Sequence, residues 1–272
     1  MPGTTAFTAL REYAAATHFG PTVAVTSFTA ALALAAGAGS RTVLIVAAVL
    51  AGQLSIGWSN DFLDAGIDRA AGRRDKAVVR GTVSERGLLR AALVAAAVSV
   101  PLSLATGLAA AGAALGTTAC GWAYNLGLKR TAASPVPYAV AFALTPPAFV
   151  ALALHQTPQP QVVIAGGLLG VCAHFTNAVK DLDADALTGV RGLPQRLGAR
   201  RSGLVSASLL LAAALVLLLP GSSPRPVSLV LAGAAGTLAV LAAVLLAGRA
   251  SRHGFTITLI AVALLVAAVI SR

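Results

Sequence analysis

The chain has 272 residues, of which 57% are hydrophobic and only 11% charged, where a soluble domain carries about a quarter charged residues. Its 20 Lys and Arg outnumber 9 Asp and Glu, for a formal net charge of +11. That composition excludes a soluble globular protein, and the basic excess lacks the aromatic interleaving of a nucleic-acid-binding surface.

In chain order, residues 1–17 are mixed and mildly polar and are expected to carry no cleavable signal. Beyond them, apolar runs of roughly 20 residues recur, the length a helix needs to cross a ~30 Å hydrocarbon layer. Breaks at Gly, Pro and charge clusters predict nine spans, near residues 18–37, 41–63, 87–106, 108–128, 136–155, 161–182, 202–220, 226–247 and 254–270. Thr106-Gly107 separates the third from the fourth, which together are too long for one crossing. The longest charged stretch, Asp68 to Arg90, is too short for a soluble domain, so residues 1–272 read as a single intramembrane domain. The expected fold is all-α: a polytopic bundle of about nine transmembrane helices around a central apolar cavity. Cys120 and Cys172 both lie in apolar runs and read as small buried hydrophobes.

With nine spans, 17 of the 20 Lys and Arg fall on the side of the N-terminus, leaving Arg41, Arg225 and Arg272 opposite. Basic residues near span ends are retained on the cytoplasmic side. The expected topology is therefore N-in and C-out, in the plasma membrane. Membrane lipids and a phosphorylated substrate, not nucleic acid, are the expected partners of the positive charge.

The acidic residues are concentrated. Six of the nine occur in two short stretches, at the cytoplasmic ends of spans two and six. In the first, Asp61, Asp64 and Asp68 follow i, i+3, i+7 and share one helical face, bordered by Asn60, with Gln53 seven residues before it. Next in the chain, Tyr124 precedes the adjacent cations Lys129 and Arg130 at the end of span four, on the same side. In the second stretch, Asp181 and Asp185 are one turn apart with Asp183 between them. His174, Asn177 and Asp181 again follow i, i+3, i+7, and Lys180 stands beside the cluster. Both polar stripes read as lining an interior space; for His174 a packing role and a catalytic one both stay open.

Carboxylates stacked one turn apart near a bilayer need neutralising. Hard oxygen ligands in this pattern suit Mg²⁺, which takes one or two carboxylates, keeps several waters and bridges to phosphate oxygens. Lys129 and Arg130 suit diphosphate oxygens left uncovered by metal. The plainer alternative is a set of solvated helix ends paired with Arg69, Arg73, Arg74 and Lys180.

The run Asn-Asp-x-x-Asp-x-x-x-Asp at 60–68, with Asp-x-x-x-Asp at 181–185 and the Tyr and Lys-Arg of 124–130, resembles the UbiA superfamily of intramembrane prenyltransferases. Gly189, Leu193-Pro194 and Leu197-Gly198 resemble the tail of its second motif, so the likeness covers nearly the whole chain. The resemblance implies that Asn60, Asp61, Asp64, Asp68, Asp181 and Asp185 hold Mg²⁺ against the diphosphate of an isoprenyl donor. It implies that Lys129, Arg130 and Tyr124 steady the departing diphosphate. Asp183 is denser than the family's spacing requires. Substrate-contacting candidates are Asn60, Gln53, His174, Asn177 and Lys180.

In such chemistry an allylic C–O bond ionises as the departing diphosphate is stabilised, and an apolar cavity keeps the carbocation from water. Trp58, Phe62, Tyr124 and Phe175 flank the motifs and offer π faces to a cation, or, for the two Phe, a lipid contact. Capture by an aromatic or lipid acceptor makes the protein a prenyltransferase, which is the favoured reading. Capture by the donor's own alkenes makes it a terpene cyclase. A cation transporter is the remote alternative, disfavoured because the acids lie at span ends and not at midplane.

Overall fold

A computed structural model describes residues 6–219, 225–247 and 251–271. A short helix α1 (Ala6–Ala15) leads into α2 (Phe19–Ala35) and the long α3 (Arg41–Ala70). At 30 residues, α3 is about 45 Å long, more than a ~30 Å apolar layer requires. Its last turns, which carry Asn60 to Asp68, therefore extend past the apolar length as unbroken helix. Gly72 (φ 65°) then reverses the chain, with the Arg73 amide donating to the Asp68 carbonyl at 3.0 Å. The one-turn helix α4 (Ala77–Arg80) follows.

Next come α5 (Glu85–Leu104) and α6 (Leu108–Leu126). Ser84 caps α5, accepting from the Gly87 amide at 3.0 Å, as a short hydroxyl side chain does at an N-terminus. After α6 a 3₁₀ turn (Leu128–Arg130) carries both cations of the third motif.

The segment expected as one span over 136–155 is two helices, α7 (Pro135–Ala143) and α8 (Phe149–Ala153), joined by a wide bend at Leu144–Ala148. Thr145 has extended backbone there (φ −127°, ψ 128°). The cause is local: Pro146 has no amide to donate and forces the residue before it out of the helical region.

The remaining elements are α9 (Pro160–Thr188), α10 (Leu193–Leu218), α11 (Pro226–Ala247) and α12 (Ser251–Ile270). Within α10, Gly198 is non-helical (φ 74°, ψ 172°), a conformation tolerated for want of a Cβ, and the expected span at 202–220 starts just beyond it. Each expected span thus coincides with a helix or, at the bend, a pair of helices. Among the described residues six helical segments are long and apolar enough to cross a membrane.

Three apolar clusters hold the bundle. Ala165, Leu169 and Cys172 of α9 meet Leu210 and Ala213 of α10, Ala235 of α11 and Leu265 of α12. Ile45, Ala48 and Val49 of α3 meet Ala110 and Ala113 of α6 and Phe149 of α8. At the charged end, Ala65 and Leu88 pack with Ala77, Val78 and Val83 beneath Tyr13 of α1. Alanine dominates the first two because small side chains let membrane helices approach closely.

Candidate active site

Because α3 stays helical through Ala70, Asp61, Asp64 and Asp68 emerge on one side of it. Asp61 and Asp68 are buried, 1% and 4% exposed, and a buried carboxylate requires a partner. Asp61 Oδ1 accepts from Lys76 Nζ at 2.7 Å and lies 3.2 Å from His18 Nε2. The Gly72 reversal is what carries Lys76 back over the helix end. Asp64 pairs with the buried Lys129. Asp68 Oδ1 lies 3.6 Å from an Arg73 nitrogen, while Asp68 Oδ2 is buried with no hydrogen-bond partner among the described residues.

The approach of Lys129 to α3 is fixed by a seam of amides. Asn60 donates from Nδ2 to Asn125 Oδ1 at 3.1 Å, and Asn125 donates to the Ile56 carbonyl and to Ser59 Oγ, both at 2.9 Å. Deeper in the same interface Trp122 Nε1 donates to Ser55 Oγ at 2.9 Å. The other end of Asn60, Oδ1, meets His18 Nε2 at 2.7 Å.

The two cations of the third motif part company. Lys129 is buried against Asp64, whereas Arg130 is exposed, since successive residues of a tight helical turn point about 120° apart. The arginines expected as counter-ions divide similarly. Arg73 serves Asp68, but Arg69 pairs with Glu85 across the α3–α5 turn. Lys76 and His18, which the sequence reading passed over, hold Asp61 instead.

Beyond Lys129 lies an aromatic group. Tyr124 is edge-on to Tyr138 (ring centroids 5.1 Å apart) and to His174 (5.7 Å). Tyr138 tilts against His174 at 4.8 Å and stacks on Phe142 at 6.3 Å. Phe175 is buried against His174, not turned to lipid. Trp58 and Phe62 face the other way: Trp58 donates to the Tyr13 carbonyl at 2.9 Å, and both pack under α1. The rings that meet Tyr124 are therefore Tyr138 and His174, and Tyr138, which no spacing motif marks, in turn stacks on Phe142.

His174 is buried and shares a 3.0 Å hydrogen bond with Ser134 Oγ. Asn177, one turn along α9, is exposed. Gln53 lies deeper, in a crevice of only about 10 Å³ between α3, α6 and the bend, with Gly52, Ala114, Thr117, Thr118 and Thr145. Half of that lining is polar, in keeping with the polar stripe on which the sequence places Gln53. The side chains of Lys180, Asp181, Asp183 and Asp185 lie outside the described residues; the helix that bears them, α9, runs on to Thr188.

The oxygen donors present suit Mg²⁺. Carboxylates on one face, a neighbouring carboxamide and the unpartnered Asp68 Oδ2 are hard ligands without competing thiolate or imidazole-rich sets. Among the described residues no three His, Cys, Asp or Glu side chains converge closely enough to enclose a metal.

No curated protein matches the sequence, but solved structures share its fold. A UbiA homologue from Archaeoglobus fulgidus, bound to GPP and Mg²⁺, superposes with a TM-score of 0.70 at 19% identity, covering 96% of this chain and all (100%) of that one. A digeranylgeranylglyceryl phosphate synthase gives 0.72 at 17% identity, over 97% and 99% of the two chains. The apo UbiA homologue from Aeropyrum pernix K1 gives 0.68 at 18%, over 92% and 97%. The sequence itself matches the UbiA prenyltransferase family over residues 23–259, and on that match the chain belongs to this family.

Proposed function

We propose that the protein is a Mg²⁺-dependent intramembrane prenyltransferase that ionises an allylic isoprenyl diphosphate and transfers the prenyl group to an aromatic or lipid acceptor. The observation that carries this reading is the α3 face on which Asp61, Asp64 and Asp68 are each opposed by a cation, with Lys129 delivered from a separate helix. A-priori costly buried charge is arranged where an anionic headgroup and divalent ions complete it. The solved relatives support the donor class: one homologue binds GPP with Mg²⁺ and another complex holds DMAPP with Mg²⁺.

In this reading Asn60, Asp61, Asp64 and Asp68, with Asp181 and Asp185 of α9, hold Mg²⁺, which when bound supplies Lewis-acid stabilisation of the leaving diphosphate. Lys129 and Lys76, which here neutralise Asp64 and Asp61, would supply cationic donors to the diphosphate oxygens, and Tyr124 a phenol. The C–O bond breaks with its electron pair leaving on the diphosphate. The allylic cation is kept from water by the helix walls, and the rings of Tyr124 and Tyr138 present electron-rich faces near the point of departure. The acceptor's nucleophilic carbon or oxygen then bonds to the prenyl carbon and gives up its proton. The nine-span, N-in arrangement, with the charged mouth on the cytoplasmic face of the plasma membrane, belongs to the same proposal and rests on the basic asymmetry of the loops.

The test is release of inorganic diphosphate from geranyl, farnesyl and geranylgeranyl diphosphates by the detergent-solubilised protein, with and without Mg²⁺ and candidate acceptors. Mg²⁺-dependent release that Asp64→Ala and Asp181→Ala abolish is expected. Undiminished release in both variants sinks the metal-site reading, and no release by the wild type sinks the enzyme. A hydrocarbon formed without acceptor reassigns the protein to terpene cyclisation.

A further inference from the structure

Ser134 is fully buried and sits where three elements meet. Its hydroxyl shares the 3.0 Å hydrogen bond with His174 Nε2 of α9, and it accepts from the Leu193 amide at the start of α10, also at 3.0 Å. Its own amide donates to the Thr131 carbonyl at 3.1 Å, and Thr131 Oγ1 donates back to the Leu128 carbonyl at 2.9 Å. Ser134 is thus wired to the turn that aims Lys129 at Asp64. The fit leaves no slack: a Cβ on Gly192 would stand 2.7 Å from the Lys129 carbonyl oxygen and 2.9 Å from Ser134 Oγ. His174 meanwhile touches the rings of Tyr124 and Tyr138.

We infer that the Ser134–His174 pair is a positioning device for the donor site. Through Ser134 it fixes the Lys129 turn, and through the imidazole ring it fixes Tyr124, tying both to α9, the helix that bears the second acidic motif. His174 is a positioning residue and not the base that deprotonates an acceptor. A buried polar pair earns retention in a greasy bundle by specifying one arrangement of the elements it joins, and here the elements joined are those that carry the diphosphate-contacting candidates. The inference rests on the function proposed above.

The experiment uses the full-length protein in detergent with Mg²⁺ and geranyl diphosphate. Diphosphate release gives KM and kcat, and the non-hydrolysed geranyl thiolodiphosphate gives binding. Ser134→Ala and His174→Phe each break the same hydrogen bond, and His174→Phe keeps a ring against the tyrosines. Each is expected to raise the donor KM and the thiolodiphosphate Kd about five- to tenfold, with kcat much less affected. The double variant is expected to match Ser134→Ala, which already loses both the bond to His174 and the acceptor of the Leu193 amide. Ser134→Thr, which keeps the hydroxyl, should restore binding, and this serine pair carries the test if His174→Phe does not fold.

A kcat loss of about 10²–10⁴ in His174→Phe with wild-type behaviour in Ser134→Ala makes His174 a general base and overturns the inference. Lowered thermal stability with unchanged KM and Kd reduces the pair to packing and overturns it too. If the wild type neither binds nor turns over the donor, the proposed function fails and takes the inference with it. Wild-type turnover with unaltered variants leaves the function standing and removes the inference alone.

Discussion

The α3–α6 seam and the α10–α12 cluster are both interiors of one bundle, yet they are built on opposite terms. The first is threaded with Ser55, Ser59, Asn60, Asn125 and Trp122, each bonded across the interface, and ends in buried carboxylates opposed by cations. The second is alanine and leucine: Leu210, Ala213, Ala214, Ala235 and Leu265 pack as a dry wall. Hydrogen-bonded pairs fix direction and register where apolar contact fixes only proximity. The seam therefore reads as the part whose geometry matters to the chemistry, and the cluster as its frame.

Substitutions can break or sharpen that contrast. The largest effect is expected at the end of the seam: Asp64→Ala should lower Mg²⁺-dependent diphosphate release about a thousandfold or more while the protein stays membrane-inserted, as followed by pyrophosphate assay and gel filtration. Next is Lys129→Ala, expected to raise the donor KM about tenfold, a loss of about 1.4 kcal/mol, whereas Arg130→Ala stays within about twofold. Equal effects at the two positions would mean that the burial difference between them has no bearing on binding. In the frame, Ala235→Leu overfills a closed site and should cost about 1–3 kcal/mol of stability, seen as a lower melting temperature with the donor KM unchanged. A selective change in KM there would erase the distinction between seam and frame.

The smallest effect belongs to Glu12 of α1. The Thr82 hydroxyl, and then the Arg80 guanidinium, hold its carboxyl below the ordinary glutamate range. A depressed pKa contributes stability above the unfolded value that is lost as pH falls through the folded one. The hold of α1 on the α4 loop should therefore loosen below about pH 4. Glu12→Gln should flatten that dependence in limited proteolysis of the N-terminal segment.

What the sequence revealed follows from what is local. The i, i+3, i+7 spacing placed three Asp on one face of α3 because helical period alone decides that, and they do lie there, with Asp61 and Asp68 buried together. The Thr-Pro-Pro run at 145–147 carried the signal for the bend, through its missing amides, within the single span expected there. His18 and Lys76 were illegible because they reach Asp61 across 43 and 15 positions of chain, Lys76 through a turn whose direction is set by Gly72. Ser134 and Tyr138 belong to no motif; only the register of α7 against α9 brings them to His174. The adjacency of Lys129 and Arg130 suggested a shared task; in the 3₁₀ turn Lys129 is buried against Asp64 and Arg130 is exposed.

The ion pairs at the mouth bear on the order in which ligands arrive. Asp61, Asp64 and Asp68 are matched by Lys76, Lys129 and Arg73, so among the described residues the α3 face of the entrance carries a cation for each carboxylate. A divalent ion that enters this face by itself competes with Lys76 and Lys129 for Asp61 and Asp64, and gains less than it would beside an anion that takes up the displaced ammonium groups. A polyphosphate entering by itself meets carboxylates. Only when the two come as a neutralising couple does every displaced charge find a new counterpart, so affinity for either should climb steeply in the presence of the other.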